Sequence, residues 1–486
     1  MRLDELMIRL DPVPPASWAE AGALDLARVT ADSRLVAPGT LFAALPGSRA
    51  DGRAFIAEAV ARGACAVLAP AGTAWPEGVP PRPLLADPEP RRRLAQIAAL
   101  FAGPQPEQVV AVTGTNGKTS TVEFLRQIWA MGGDPAASLG TLGVSAPGFP
   151  PGPGLTTPDP VTLAATLAAL ARAGVRRAAM EASSHGLHQF RLDGVRLAAA
   201  GFSNFTRDHL DYHGTEAAYR AAKLRLFDEL LPRGAPAVAN ADMDPATLEA
   251  LRAVAARRRI DLRTVGEAGD VRLRAARPRP DGQELEIEVN GARRVVPLAL
   301  PGRFQADNAV LAAALAMVLG ADDALDRLPR LVGVRGRMER AAVLPNGACV
   351  YVDYAHTPDA LERLVRALRP HTAGRLHLVF GAGGDRDPGK RPLMGAAARA
   401  ADVVIVTDDN PRNEPPAAIR AAVLAACPGA REVGDRARAI EVAMNALAPG
   451  DVLAVAGKGH EQGQTIGGAV VPFDDVDVVR RLAGAA

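Results

Sequence analysis

Thr113-Gly114-Thr115-Asn116-Gly117-Lys118-Thr119-Ser120 is the stretch of this chain whose reading decides its fold. It follows the apolar run Val109-Val110-Ala111-Val112 and precedes a helix-forming segment at residues 121–129. A buried strand, a glycine-rich turn, then a lysine and hydroxyls at a helix start form the layout of a phosphate cradle. Gly114 and Gly117 let backbone N–H groups curl around phosphate oxygens where side chains would obstruct them. Lys118 is placed to neutralise the outer phosphates, the Thr119 hydroxyl to ligate Mg2+, and the helix N-terminus adds a favourable dipole. The common phosphate loop has a glycine where this chain has Val112, so the loop is a shortened variant.

Working outward, strand and helix patterns alternate, which predicts an α/β fold with a mostly parallel sheet covered by helices. At 486 residues the chain exceeds one ordinary core and divides into several domains. Residues 1–88 read as a first unit of short β-like runs, closed by the linker-like Asp87-Pro88-Glu89-Pro90. Residues 89–334 open with a helix at 91–101, contain the phosphate loop, and carry strands at 178–180, 198–202 and 235–239. Within them, the alternation in Glu284-Leu285-Glu286-Ile287-Glu288-Val289 predicts an antiparallel insertion spanning 271–300. Residues 335–486 form a third unit with strands at 349–353, 376–380, 403–407 and 452–456. Each of these ends in a charged or glycine-rich loop, and ligands of parallel sheets bind at such carboxyl ends.

Composition excludes several classes. The 56 basic and 54 acidic residues leave a net charge of +2, and only 4% of residues are aromatic. Neither a basic stripe nor a stacking platform for nucleic acid follows from that balance. The arginine runs 91–93 and 257–259 are expected on solvated helix faces. Cys65, Cys349 and Cys427 are odd in number and far apart, which points to a reducing compartment and no disulfide framework. The N-terminus lacks the apolar core of a signal peptide, and the longest apolar stretch, 310–319, is about half what a bilayer needs. A soluble, cytoplasmic protein without membrane insertion is expected.

Several side chains bear chemistry. Glu181 follows the strand at 178–180 and His209 follows a strand-like run ending near Phe205. With Thr119 they offer Mg2+ a carboxylate, an imidazole and a hydroxyl from neighbouring strand ends. An exposed loop acid and a helix-capping histidine are the plainer readings of the first two. Lys223 lies in a helix-forming stretch, where a solvated surface lysine is the ordinary reading. Arg303, Asp307 and Asn308 precede an apolar helix at 309–319, and capping explains Asp307 or Asn308 as well as catalysis does. Arg386 and Arg412 suit bidentate capture of a carboxylate, and with Asp409, Asn410 and Glu461 they suit a zwitterionic amino acid. Interdomain salt bridging is the alternative.

Taken together, these residues resemble the Mur ligases, in the branch that adds the third residue of the peptidoglycan stem peptide. The resemblance rests on residues 113–120, 181–187, 203–214, 302–313, 336–339 and 353–361, in family order and rough spacing, and covers nearly the whole chain. It implies three domains: an N-terminal α/β uridine-nucleotide domain, a central P-loop ATPase domain and a C-terminal Rossmann-like domain that brings in the amino acid. It implies a reaction of ATP, UDP-N-acetylmuramoyl-L-alanyl-D-glutamate and a diamino acid through an acyl phosphate, by a protein expected to act as a monomer. Ser33, Ser48, Arg49 and Ala50 match its uridine-binding segments, and Thr156, Thr157, Ser183, Gln189 and Arg191 its muramoyl-dipeptide contacts. Gly114, Thr115, Asn116, Gly117, Lys118, Thr119 and Ser120, with Asn308, Arg337 and Asp353, match positions that hold ATP. Lys118, Lys223, Glu181 and His209 match catalytic positions, and Lys223 matches the lysine carried as N6-carboxylysine, a carbamate that joins Thr119, Glu181 and His209 around Mg2+. Arg386, Asp409, Asn410, Pro411, Arg412, Gly457 and Glu461 match the amino-acid site, with Asp409-Asn410-Pro411-Arg412 looking like the signature of the meso-diaminopimelate branch. Arg412 can pair with the distal carboxylate of diaminopimelate, which lysine lacks, and an uncompensated buried arginine penalises lysine. Leu155 departs from the pattern, because some relatives carry asparagine before the two threonines. The competing readings are folylpolyglutamate synthetase, which lacks the uridine domain, and a non-catalytic nucleotide-gated sensor, which would not need Glu181, His209, Lys223 and Arg412 together.

Overall fold

Parallel strands with apolar side chains on both faces need helices above and below them, and the strands of this chain read that way. The structure is a computed structural model that describes residues 2–10, 24–47, 50–150, 154–279 and 281–484. The chain divides into two compact units: Met1–Lys118, Leu125–Arg263 and Val318–Ala321 in the first, and Thr119–Phe124, Thr264–Met317 and Asp322–Ala486 in the second.

In the first unit, β1 (Arg28–Thr30), β2 (Thr40–Ala43), β3 (Ala64–Pro70) and β4 (Leu84–Asp87) form a parallel sheet in sequence order. The helix Pro90–Ala102 sends Leu94 and Ile97 into the same core as Leu41 and Leu68. The stretch read as a linker is a tight turn, in which Asp87 accepts from the Glu89 N–H at 2.7 Å and pairs with Arg93. The arginine run there is not a solvated face, since Arg92 pairs with Asp193 and Glu229. Next come β5 (Gln108–Thr113), β6 (Ala136–Gly140), β7 (Gly143–Ser145), β8 (Arg177–Glu181), β9 (Leu197–Phe202) and β10 (Pro236–Asn240). They run in the order β10-β9-β5-β8-β6-β7, parallel except for the β6–β7 pair. Val109 to Val112 are fully buried, as an apolar run at the centre of such a sheet must be.

β11 (Asp261–Gly266) carries the chain onward into the second unit. There β12 (Val271–Arg279), β13 (Gly282–Val289) and β14 (Ala292–Leu298) form the expected antiparallel insertion. Its outward positions carry an ion-pair ladder, with Arg274 and Arg293 on Glu288 and Arg277 on Glu286. The following helix spans Arg303–Met317, so Asp307 and Asn308 lie inside it and cap nothing. Arg303 reaches Asp307 one turn on, at 2.9 Å. The final sheet comprises β15 (Glu339–Val343), β16 (Cys349–Asp353), β17 (Leu376–Phe380), β18 (Val403–Val406), β19 (Arg431–Glu432) and β20 (Val452–Ala456). Its order is β15-β16-β20-β17-β18-β19, with only the β15–β16 pair antiparallel. The carboxyl ends of β16, β20, β17 and β18 therefore stand side by side, as the sequence predicts. A hairpin of β21 (Gly463–Ile466) and β22 (Ala469–Pro472) follows. No helix among the described residues is long and apolar enough to cross a membrane.

Candidate functional site

The phosphate loop runs from β5 into the helix Lys118–Met131, with Gly114 at φ +147° and Gly117 at φ +82°. It is laced to the loop after β9. Ser203 Oγ donates to Asn116 O at 2.6 Å, Asn204 Oδ1 accepts from Asn116 N–H at 2.9 Å, and Thr115 Oγ1 donates to Thr206 O at 3.0 Å. A Cβ on Gly114 would stand 1.9 Å from Ser203 Oγ, so glycine is compulsory there on steric grounds as well.

Two lysines converge on this loop. Lys118 Nζ donates to Gly114 O and Thr115 O at 2.9 Å each, and Lys223 Nζ donates to Gly114 O at 2.7 Å. Lys223 is not a surface residue: it is 1% exposed, and its Nζ sits 4.5 Å from the centre of the Tyr219 ring. Burial, and next the charge of Lys118, hold its ammonium well below the ordinary lysine range, against a smaller opposing pull from Asp208. Both effects disfavour the charged form of the amine.

Glu181 is not an exposed loop acid either. It ends β8 with 1% exposure, in register with Val112 of β5. Its Oε1 accepts from the Thr141 N–H at 2.8 Å, and Gly140 leaves the space its carboxylate fills. His209 does stand at the N-cap position of the short helix Leu210–His213, at φ +51°, but its side chain caps nothing. It lies in a group of rings, 5.0 Å from His185, with Tyr212 and His213 also against His185. Among the described residues no three His, Cys, Asp or Glu side chains gather to hold a metal ion. The expected set contains only two of those types, Glu181 and His209, and relies on a hydroxyl and a carbamate for the rest.

The segment after β8, with Thr156 and Thr157 from the segment after β7, assembles the residues matched to the muramoyl dipeptide. Thr157 Oγ1 donates to Glu181 O at 2.9 Å and accepts from Ser183 Oγ at 3.0 Å, while Ser183 caps the helix Ser184–His188 through the Gly186 N–H. Arg191 donates to Thr157 O at 2.6 Å and to Gln189 Oε1 at 2.7 Å. Thr156 meets Thr141 hydroxyl to hydroxyl at 3.1 Å, and Leu155 points outward, 63% exposed. In the first sheet Ser33 begins a single helical turn capped by Asp32, and Ala50 closes a turn onto Gly47. Ser48 and Arg49 lie outside the described residues.

In the second unit Thr119 is half-buried and Ser120 buried, both in the first turn after the loop. Gln305, which sequence reasoning missed, links Asn308 to Arg337: it accepts from Asn308 Nδ2 at 3.4 Å and donates to Arg337 O at 3.0 Å. Arg337 stacks 4.6 Å over Tyr354. Asp353 accepts from the Met338 and Ala355 N–H groups, and desolvation raises its carboxyl while Arg337 opposes the shift.

The amino-acid candidates do assemble. A Cβ on Gly383 would lie 2.9 Å from Arg412 Nη1 and 3.8 Å from Arg386 Cγ, so both arginines flank one point. Arg412, at φ +54°, is pinned by Thr465 O and the Gly467 N–H and donates to Gly384 O at 2.7 Å. Pro411, Asp409 and Asn410 are buried behind it, and Asn410 Nδ2 donates to Glu461 Oε2 at 2.9 Å. Gly457 leaves room for Asp409, whose Oδ2 would be 2.5 Å from a Cβ there.

A shortened phosphate loop on one sheet and an arginine pair at the carboxyl ends of another fit a ligase of the ATP-dependent amide-forming class. Three family models match the chain: the Mur ligase family catalytic domain over residues 25–102, the Mur ligase middle domain over 112–316, and the Mur ligase glutamate ligase domain over 336–459. The chain belongs to the Mur ligase family. It is 56% identical over 470 residues, 94% of this chain and 96% of the relative, to the UDP-N-acetylmuramoyl-L-alanyl-D-glutamate–2,6-diaminopimelate ligase of Caulobacter vibrioides. A solved structure of an enzyme of that name matches with TM-score 0.74 and 32% identity, covering 100% of this chain and 99% of that one. The fold is shared with MurF ligase from Thermotoga maritima in complex with ADP, at TM-score 0.61 and 19% identity over 94% and 97% of the two chains.

Proposed function

We propose that this chain is the ATP-dependent ligase that joins meso-2,6-diaminopimelate to the D-glutamate side-chain carboxylate of UDP-N-acetylmuramoyl-L-alanyl-D-glutamate, in cytoplasmic peptidoglycan precursor synthesis. What carries the reading is one coincidence. Two lysines share the Gly114 carbonyl of a phosphate loop in the same chain whose Arg386 and Arg412 flank Gly383.

Amide formation from a carboxylate is uphill until its oxygen becomes a leaving group. The D-glutamate carboxylate attacks the γ-phosphorus of ATP, the bond to ADP breaks, and an acyl phosphate forms. Lys118 neutralises the phosphate charge, since phosphoryl transfer depends on positioning and electrostatics. The buried carboxylate of Glu181 is an oxygen donor of the kind Mg2+ takes, and burial of Lys223 beside Lys118 disfavours its charged form, which is the form that cannot add carbon dioxide. Thr119, Glu181, His209 and Lys223 as N6-carboxylysine would hold Mg2+, which supplies charge neutralisation at the phosphoryl oxygens. Asn308, Arg337 and Asp353 hold the nucleotide. Thr156, Thr157, Ser183, Gln189 and Arg191 hold the dipeptide, and Ser33, Ser48, Arg49 and Ala50 the uridine end. Residues 1–88 serve the uridine nucleotide, 89–334 ATP and 335–486 the amino acid, in a monomer.

Arg386, Asp409, Asn410, Arg412 and Glu461 then hold diaminopimelate while its amine attacks the acyl carbon, phosphate leaves and the nitrogen loses a proton. Water must be kept from the acyl phosphate during that exchange. The test is incubation with ATP, the uridine dipeptide and either diaminopimelate or lysine, followed by product mass and phosphate release. Tripeptide product with diaminopimelate and little with lysine is expected. Equal use of lysine, or brisk phosphate release without the uridine substrate, refutes the reading.

A further inference from the structure

Only four of the 56 basic residues of this chain are lysine: Lys118, Lys223, Lys390 and Lys458. None of the four is exposed, whereas arginines cover the surface. In a chain that uses arginine almost everywhere else, a buried lysine marks a place where a compact ammonium fits and a planar guanidinium does not. Two of the four belong to the phosphate loop's surroundings. Lys458 belongs to neither that loop nor any role given above.

Lys458 follows Gly457 at the carboxyl end of β20 and is 0% exposed. Its Nζ donates to Asn410 Oδ1 at 3.2 Å and to Glu461 Oε2 at 3.3 Å. Asn410 Oδ1 also accepts from the Thr465 N–H at 2.9 Å, while Asn410 Nδ2 donates to Glu461 Oε2 at 2.9 Å. Both acceptor positions of the amide oxygen are thus filled, and one Nδ2 hydrogen is committed to Glu461. Lys458 Nζ and Asn410 Nδ2 in turn occupy Glu461 Oε2.

We propose that Lys458 is the positioning residue of the amino-acid site, fixing Asn410 to offer a single N–H and Glu461 to offer a single carboxylate oxygen to a zwitterion. The inference rests on the ligase reading and assigns polarity within it. Asn410 faces a substrate carboxylate, because its oxygen is already saturated. Glu461 Oε1 faces a substrate ammonium. Without the ammonium of Lys458, the glutamate loses its second tether and the amide loses one of the two donors that set its orientation.

Steady-state kinetics of Lys458→Met test this, with Glu461→Gln and the double variant completing a cycle. Lys458→Met is expected to raise the KM for diaminopimelate about tenfold to hundredfold, the range for a hydrogen bond to a charged group, and to leave the KM values for ATP and the uridine substrate nearly unchanged. Because Lys458 acts through Glu461, the double variant should match Glu461→Gln within about twofold instead of multiplying the two effects. The double variant removes both members of the pair, so it avoids the unpaired buried ammonium that Glu461→Gln alone leaves at Lys458. An unchanged diaminopimelate KM in Lys458→Met, an equal rise in all three KM values, or a multiplicative double variant overturns the proposal. Absence of tripeptide from the unmodified protein would instead overturn the ligase reading.

Discussion

Gly140→Ala should disable the site through one methyl group. Gly140 ends β6, and a Cβ there would stand 2.1 Å from Glu181 Oε1, 2.5 Å from its Cδ and 2.6 Å from its Cγ. Such separations cannot exist, so either the carboxylate turns away or β6 and β8 part. Turning away forfeits the 2.8 Å bond from the Thr141 N–H, about 1.5–3 kcal/mol for a hydrogen bond to a charged group. Parting the strands costs about 1–3 kcal/mol of overpacking. The cheaper relaxation decides, so a loss of at least about 1 kcal/mol in stability or site geometry is expected. On the proposed role of Glu181 as a Mg2+ ligand, displacing it lowers kcat by about tenfold to hundredfold. Without the clash the exchange would be neutral or stabilising by about 0.4–1 kcal/mol, because Gly140 does not occupy the left-handed region. Denaturant melts and tripeptide formation measure the two effects. Thr141→Ala is the control: it keeps the N–H and removes the hydroxyl's contacts with Glu181 at 3.4 Å and Thr156 at 3.1 Å, so it should lose less. A Gly140→Ala protein with unchanged midpoint and rate would show that the Glu181 carboxylate does not sit against β6.

Lys223→Ala should abolish most ligase activity, with partial recovery by short carboxylic acids that stand in for the carbamate; unchanged activity would remove Lys223 from the mechanism. Arg412→Ala should raise the KM for diaminopimelate by about tenfold to hundredfold while sparing that for ATP, and an equal shift in both would refute its role. Stability should fall as pH drops from 6.5 towards 4, because burial holds both His213 and His460 down at about 4. Over that window the unfolded chain binds protons that the folded chain refuses, so each histidine contributes a slope of at most about 1.4 kcal/mol per pH unit, less where water screens it. Urea midpoints measured across the window should flatten in His460→Gln, and an identical pH profile would refute the assignment.

Periodicity carried the architecture. The run at Val109 to Val112 is apolar on both faces because β5 lies between β8 and β9, and the last sheet's strands are readable for the same reason. Depth was not readable at single charged residues. Glu181 and Lys223 look solvated in one dimension, since Thr141 and Gly114, which they meet, come from other elements; only Tyr219, one turn before Lys223 on its own helix, is local. The helix holding Asn308 begins at Arg303, so a capping signal was read where a helix interior exists. Asn204 and Gln305 gave no local signal, because their role is to tie distant loops. Lys458 did carry one: the scarcity of lysine itself.

Gly336, just before β15 at φ +63°, has no space for a side chain, because a Cβ there would lie 2.2 Å from the His460 N, and one on Gly459 would lie 2.8 Å from the Gly336 O. Two lengths of main chain thus mesh like gear teeth. A side chain at either glycine would push the other length of chain aside, so a change at Gly336 is felt in the loop that follows β20.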